Sequence, residues 1–236
     1  MPKPPKQLSF RDHRLHSGRG GPRIGAGRKP KPGAPIHHIK RAPLPRDCPA
    51  HVTLKLRKGV PSLRSKRFIR AFRRSLRVAC ERGEFRVVHY SVQRDHVHLI
   101  VEAAGKQALG RGMKSIASRL ARAANRVFHR SGPVLHGRYH LHVLRTPLEV
   151  RRALAYVLLN ARRHWRKQKG VVPPQRLDAA SSGRWFDGWK RGAAVSHETM
   201  RPGADPPEVA RPHTWLLTTG WRRRGLVDPT EVPGFA

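Results

Sequence analysis

The sequence predicts an α+β fold: a ferredoxin-like split βαβ sandwich with an antiparallel sheet and an added C-terminal helix. Three observations predict it. Short stretches that alternate apolar and polar residues are interleaved with longer ones whose apolar residues recur at three and four, in the order β-α-β-β-α-β-α. Two of the strands are separated only by Gln93-Arg94-Asp95, which makes them an antiparallel hairpin. In the split βαβ topology the first and third strands occupy the middle of the sheet.

Each element has a local reason. His51-Val52-Thr53-Leu54-Lys55-Leu56-Arg57 alternates and stops at Gly59 and Pro61. Ser62 is placed to cap a helix bearing Leu63, Phe68, Ile69, Phe72, Leu76, Ala79 and Cys80, which reaches about Arg82 and ends at Gly83. Phe85 to Val92 alternates again, and the third strand is read from His96 onward. A second helix from about Gln107 to Arg130 carries Met113, Ile116, Leu120, Ala124 and Val127 at helical spacing; Lys114, Arg119, Arg122 and Arg126 form its basic face. Val134 to Leu144 reads as the last strand. Pro147 then opens a third helix, where its missing N–H costs nothing, Glu149 suits the first turn, and the helix runs to about Trp165.

Composition bounds the partners. Fifty Lys and Arg against fourteen Asp and Glu give a formal charge of +36 over 236 residues. Self-repulsion of that size destabilises a compact chain, and a polyanion is its usual counterpart, so nucleic acid is the expected partner. No run approaches the roughly 18 apolar residues of a spanning helix, and the first thirty residues have no apolar core of a signal peptide. Cys48 and Cys80 make neither a disulfide framework nor a zinc-finger spacing. The expectation is an intracellular protein with no membrane partner.

Residues 1–47 hold nine Pro, six Gly and twelve Lys or Arg, too little apolar surface to offset the entropy of ordering, and are expected to be a disordered basic arm. Arg28 and Lys29, in Gly25-Ala26-Gly27-Arg28-Lys29-Pro30, resemble the core of a minor-groove hook, or add charge as a plain tail. The catalytic-domain candidate spans residues 48–168, and residues 169–236 form a Trp-containing appendage. Trp185, Trp189, Trp215 and Trp221 are expected to glue it to the core or to stack on unpaired bases, with Arg222-Arg223-Arg224 beside Trp221.

The chemistry centres on Arg94-Asp95-His96-Val97-His98-Leu99-Ile100-Val101-Glu102. A strand's side chains alternate, so His96 and His98 share one face and Val97, Leu99 and Val101 the other. That arrangement presents metal ligands from a strand whose back is in the core, or simply two histidines on a half-polar strand. On the third helix Val150, Leu154, Val157, Leu158, Ala161 and Trp165 form an apolar stripe. Tyr156 lies off it, on a face with Arg152, Asn160 and Arg163, and Asn160 follows one turn later.

His-Val-His on a central strand followed by a helix with Tyr-Val-Leu-Leu-Asn resembles the single-tyrosine HUH transposases, in particular the REP-associated tyrosine transposase branch of the IS200-like superfamily. The resemblance runs from about Ala50 to Trp165, and Gly137-Arg138-Tyr139-His140 belongs to it. It implies nicking and rejoining of single-stranded or hairpin DNA through a 5′-phosphotyrosine, as in DNA transposition, by a monomer or homodimer in the bacterial cytoplasm, associated with the nucleoid. Tyr156 would be the nucleophile; His96, His98 and Asn160 would hold a Mg or Mn divalent cation. Asn160 is shorter by a methylene than the Gln of many members. Arg138, Arg152 and Arg163 join Arg28, Lys29, Lys114, Arg119, Arg122 and Arg126 as expected DNA contacts. A rival pair, His140 and His142, is expected at a sheet edge with a surface or DNA-contact role, and His89 is expected to be structural. The alternative is a non-catalytic nucleic-acid-binding module, a domesticated transposase or an RNA-binding ferredoxin-like domain. Stacking aromatics on the middle strands would favour it; histidines stand there instead.

Overall fold

The computed structural model describes residues 43–171, 173–174, 176–190 and 206–234. Arg28 and Lys29 lie outside them. A five-stranded antiparallel sheet carries the fold, with strands β1 (Ala50–Lys55), β2 (Glu81–Arg82), β3 (Phe85–Val92), β4 (His96–Ala103) and β5 (His140–Val143) in the order β2-β3-β4-β1-β5. The helices are α1 (Lys66–Arg77), α2 (Lys106–Val127), α3 (Pro147–Leu158), α4 (Asn160–Lys169) and the one-turn α5 (Trp215–Thr218). The expected α+β class and antiparallel sheet are those observed, with β4 and β1 central.

The alternation along β4 builds two cores. Val97, Leu99 and Val101 face α1 and α2, burying Phe68, Phe72, Leu76, Met113, Ile116 and Leu120. On the opposite face Ile100 meets Val150, Leu154, Val157 and Leu158 of α3, together with Phe186, Trp189, Leu216 and Trp221. The imidazole face of β4 is therefore the one that α3 covers. A bulge at Val88, between the pairs Val87↔Val101 and His89↔Ile100, turns both Val88 and His89 to this second face.

Several boundaries differ from expectation. Ser65, not Ser62, caps α1 by accepting from the Phe68 N–H at 3.2 Å. The helix stops at Arg77, and Gly83, at φ 55°, serves a two-residue turn between β2 and β3. The last strand is shorter than Val134 to Leu144. Its first residues do bond to the end of β1, through Arg57 N–H to Val134 O and His136 N–H to Lys55 O, but Gly137 at φ 64° interrupts the ladder before β5. The third helix is not continuous to Trp165: Leu159, at φ −109° and ψ 13°, separates α3 from α4. The turn is anchored by Arg162, which donates to the carbonyls of Pro174, Thr230 and Glu231. Trp165, placed in the apolar stripe of a straight helix, is instead exposed.

The C-terminal segment closes the outer edge of β3. Val92 N–H donates to Ala180 O, Ser182 N–H to Tyr90 O, and Ala210 N–H to Val87 O, which leaves fewer unpaired edge groups open to other chains. Fully buried Glu208 ties this segment down, accepting from Tyr90 Oη at 2.7 Å, Trp185 Nε1 at 2.9 Å and Arg184 Nη2 at 2.9 Å, with Arg73 Nε at 3.3 Å. Burial alone would raise its pKa; those donors outweigh burial and hold it below the usual carboxylate value. Of the four C-terminal tryptophans, Trp189 and Trp221 are buried under α3, Trp185 is half-buried against Glu208, and Trp215 is exposed beside Arg223.

Candidate active site

Tyr156 is brought from α3 onto the imidazoles of β4. Its ring stands edge-on to His98 with centroids 5.2 Å apart, and to His51 of β1 at 5.7 Å. The Arg163 guanidinium lies 5.3 Å from the Tyr156 ring centroid. His96 and His98 sit on one face with centroids 4.6 Å apart, as the strand period requires. His164 of α4 approaches His96 at 6.2 Å. The cluster thus draws on both central strands and on both halves of the broken helix.

Two of these residues were not singled out in the sequence. Val52 and Leu54 of β1 point into the first core, so His51 and Thr53 necessarily point to the imidazole face, with Thr53 directly opposite His98 in the register and His51 opposite His142 of β5. That alternation was a readable signal for His51. His164 completes a four-residue spacing, Tyr156-Asn160-His164, which is the second missed signal.

The electrostatics favour the uncharged form of His98, His51 and His164. Burial lowers the pKa of His98 to about 2, assisted by His51 and His96. Burial, then His142 and His96, brings His51 to about 4. His164 is lowered by burial and by His96. Neutral imidazoles retain the lone pairs that a cation needs. His96 Nδ1 lies 2.8 Å from Asp95 Oδ1; a carboxylate only accepts, so Nδ1 carries the proton of this bond, which in the neutral ring leaves Nε2 as the acceptor. The hydrogen bond from His96 in turn holds Asp95 below the usual carboxylate value.

Whether the residues suit a divalent cation is answered by their unsatisfied atoms. Among the described residues five buried side-chain nitrogens or oxygens have no hydrogen-bond partner, and three of them belong to His98 (Nε2) and Asn160 (Nδ2 and Oδ1). Each such atom costs about 1–3 kcal/mol if nothing satisfies it. Asn160 is fully buried at the first position of α4. The donor set, two imidazoles and an amide oxygen, is chemically able to hold a divalent cation. Among the described residues no three His, Cys, Asp or Glu side chains form a ready-made cage.

The other expected contacts separate into three groups. Arg152 is exposed on α3, beside a small cleft that Arg151 and Glu231 also line, and Arg163 is at the tyrosine. Lys114, Arg122 and Arg126 are exposed on α2, and Arg119 is half-buried there, across the sheet from Tyr156. Arg138 is exposed in the turn before β5, whose His140 and His142 are exposed at the sheet edge. His142 is closer to the site than an edge position suggested, because its cross-strand partner is His51. His89 is buried against Phe186 and 3.2 Å from Ser182 Oγ.

Comparison with known proteins adds one family. The family model described as "Transposase IS200 like" matches residues 47–141. No curated protein matches the chain. Among solved structures, a REP-associated tyrosine transposase bound to a REP hairpin is 15% identical with a TM-score of 0.45, covering 58% of this chain and 76% of that one. A protein of Deinococcus radiodurans R1 proposed to be a transposase is 15% identical with a TM-score of 0.35, covering 47% and 85%. A bacterial tRNA(His) guanylyltransferase-like protein in complex with ATP is 10% identical with a TM-score of 0.39, covering 52% and 61%. No helix of the described residues is long and apolar enough to cross a membrane. Over residues 47–141, which include both histidines of β4 and stop short of Tyr156, the chain is similar to the IS200-like transposases.

Proposed function

We propose that the protein nicks and rejoins single-stranded or hairpin DNA with Tyr156 as nucleophile and His96, His98 and Asn160 as ligands of a Mg or Mn divalent cation. The observation that carries this reading is the edge-on contact of Tyr156 with His98, whose buried Nε2 has no partner. The similarity of residues 47–141 to IS200-like transposases supports the reaction class, and the charge of +36 supports affinity for a polyanion.

The reaction exchanges one phosphodiester for another. Tyr156 Oη attacks phosphorus and loses its proton, the bond from phosphorus to the 3′ oxygen breaks, and that oxygen leaves as a free 3′-OH after taking up a proton. The 5′-phosphotyrosine so formed conserves the bond energy, and attack by a 3′-OH reverses the step without ATP. The cation, when bound, polarises the phosphoryl group and offsets the charge of the transition state. Arg163, already beside the tyrosine ring, is placed to neutralise a phosphate oxygen there. His96 is held in place through Asp95.

The reading is tested with end-labelled single-stranded hairpin DNA, with Mg²⁺ or Mn²⁺ and with EDTA. Cation-dependent cleavage leaving a free 3′-OH is expected. Cleavage undiminished by EDTA, or lost neither in His98→Ala nor in Tyr156→Phe, would contradict it.

A further inference from the structure

His98 depends for its orientation on the neighbouring strand. Its Nδ1 lies 3.0 Å from His51 Nε2 and 3.1 Å from Thr53 Oγ1. Its Nε2 is buried and has no partner. His96 takes its support from its own chain neighbour, Asp95, at the exposed start of β4. Position 98 cannot do the same, because its sequence neighbours Val97 and Leu99 point into the opposite core and Ile100 is apolar. The support has to come from across the ladder, and the residue directly opposite is Thr53.

A neutral imidazole carries one proton. With that proton on Nε2, a buried N–H would have no acceptor, and a cation would meet a donor. With it on Nδ1, the ring donates to Thr53 Oγ1 or His51 Nε2, and Nε2 becomes a bare lone pair. Only the second form satisfies both ends of the ring when a cation is present. We infer that Thr53 and His51 are positioning residues that hold the His98 proton on Nδ1 and so present Nε2 to the cation of the nicking site, an inference that rests on the function proposed above. Both ligand histidines of β4 would then be presented alike, one by a carboxylate preceding it and one by the strand beside it.

The test reads the ring itself as well as the cation. Protein labelled with ¹⁵N in histidine, free of divalent cations and at pH 7.5, is compared as wild type, Thr53→Val, Thr53→Ser and the Thr53→Val/His51→Phe double variant. Thr53→Val keeps the side-chain shape without the hydroxyl, so it remains informative if the double variant fails to fold. Wild type and Thr53→Ser are expected to show His98 with its proton on Nδ1, while Thr53→Val shows a mixture and the double variant loses the preference. Mn²⁺ titration followed by electron paramagnetic resonance is expected to show affinity falling about 10- to 100-fold in the double variant, with Thr53→Ser within about twofold of wild type. A wild-type His98 protonated on Nε2, or unchanged tautomer and Mn²⁺ affinity in Thr53→Val and the double variant, would overturn the inference. Failure of wild type to bind Mn²⁺ while the tautomers behave as expected would overturn the cation reading and leave the positioning role standing.

Discussion

The ring of Tyr156 stands edge-on to His98 at 5.2 Å, although one residue rises from a central strand and the other from a helix laid across that strand's face. Their meeting requires α3 to be docked on the sheet, and the docking is done by Val150, Leu154, Val157 and Leu158 against Ile100, with Trp221 wedged behind. The site is thus a by-product of ordinary packing, with its polar members at the margin of an apolar interface. Replacing Leu154 by Ala should cost about 2–5 kcal/mol and loosen the site. A urea midpoint lowered together with weaker Mn²⁺ binding is the expected pair of results; a shifted midpoint with unchanged Mn²⁺ affinity would uncouple packing from the site.

The C-terminal segment is held through a buried carboxylate, which makes Glu208 a stability determinant far from the chemistry. Glu208→Ala strips the acceptor from Tyr90, Arg73, Arg184 and Trp185 and leaves two partly buried cations uncompensated. A loss of about 3–5 kcal/mol is expected from breaking a buried pair, measured by denaturant unfolding. A loss below about 1 kcal/mol would show that the network is loosely made.

Gly112 of α2 lies under the ring of Phe85, where an added Cβ would come within 2.1 Å of the ring. Gly112→Ala should therefore destabilise by about 1–3 kcal/mol through overpacking, despite the better helix propensity of alanine. Unfolding at an unchanged or higher denaturant midpoint would show that Phe85 moves aside freely.

Stability should fall on mild acidification. His89 is buried neutral, and burial lowers its pKa from 6.5 to about 4. The unfolded chain then binds more protons between those values, so the contribution is fully present above about pH 6.5 and is lost as pH falls toward 4. The melting temperature is expected to drop between pH 7 and pH 4.5, and to drop less in His89→Gln. An equal drop in that variant would assign the effect to other groups.

The basic face of α2 and the tyrosine lie across the sheet from one another, so DNA binding and chemistry should separate. Lys114, Arg122 and Arg126 replaced together by Ala should lower the salt dependence of single-strand binding by about 2 in slope, roughly 0.7 for each lost phosphate contact. Cleavage at saturating DNA should be unchanged. An unchanged slope would take α2 out of the DNA path.

The elements most legible in the sequence were those whose alternation had only one solution. Val97, Leu99 and Val101 had to be buried together, which put His96 and His98 on the other face, and the hairpin turn made β4 a neighbour of β3. Tyr156 was legible because it lies off the apolar stripe, on a face with Arg152, Asn160 and Arg163. The break at Leu159 was not, because leucine favours a helix and the cause, Arg162 reaching the carbonyls of Pro174, Thr230 and Glu231, lies in residues distant in the chain. The two-residue β2 is too short for any period to mark. The alternation of β1 places His51 on the face opposite Val52 and Leu54, but which histidine it meets is set by the β1 to β4 register, which no local pattern displays.

The central claim is that Tyr156 becomes covalently joined to DNA. The chain has three tyrosines: Tyr90 is buried in the first core, Tyr139 packs partly against that core, and Tyr156 stands at the histidines. The most direct measurement is to trap the protein on single-stranded hairpin DNA with Mn²⁺, denature it, digest both components, and identify by mass spectrometry the residue that retains a 5′-phosphate. The account predicts phosphate on Tyr156 and no adduct in Tyr156→Phe. Phosphate on Tyr139 or Tyr90, or cleavage of the DNA with no protein adduct, would contradict it.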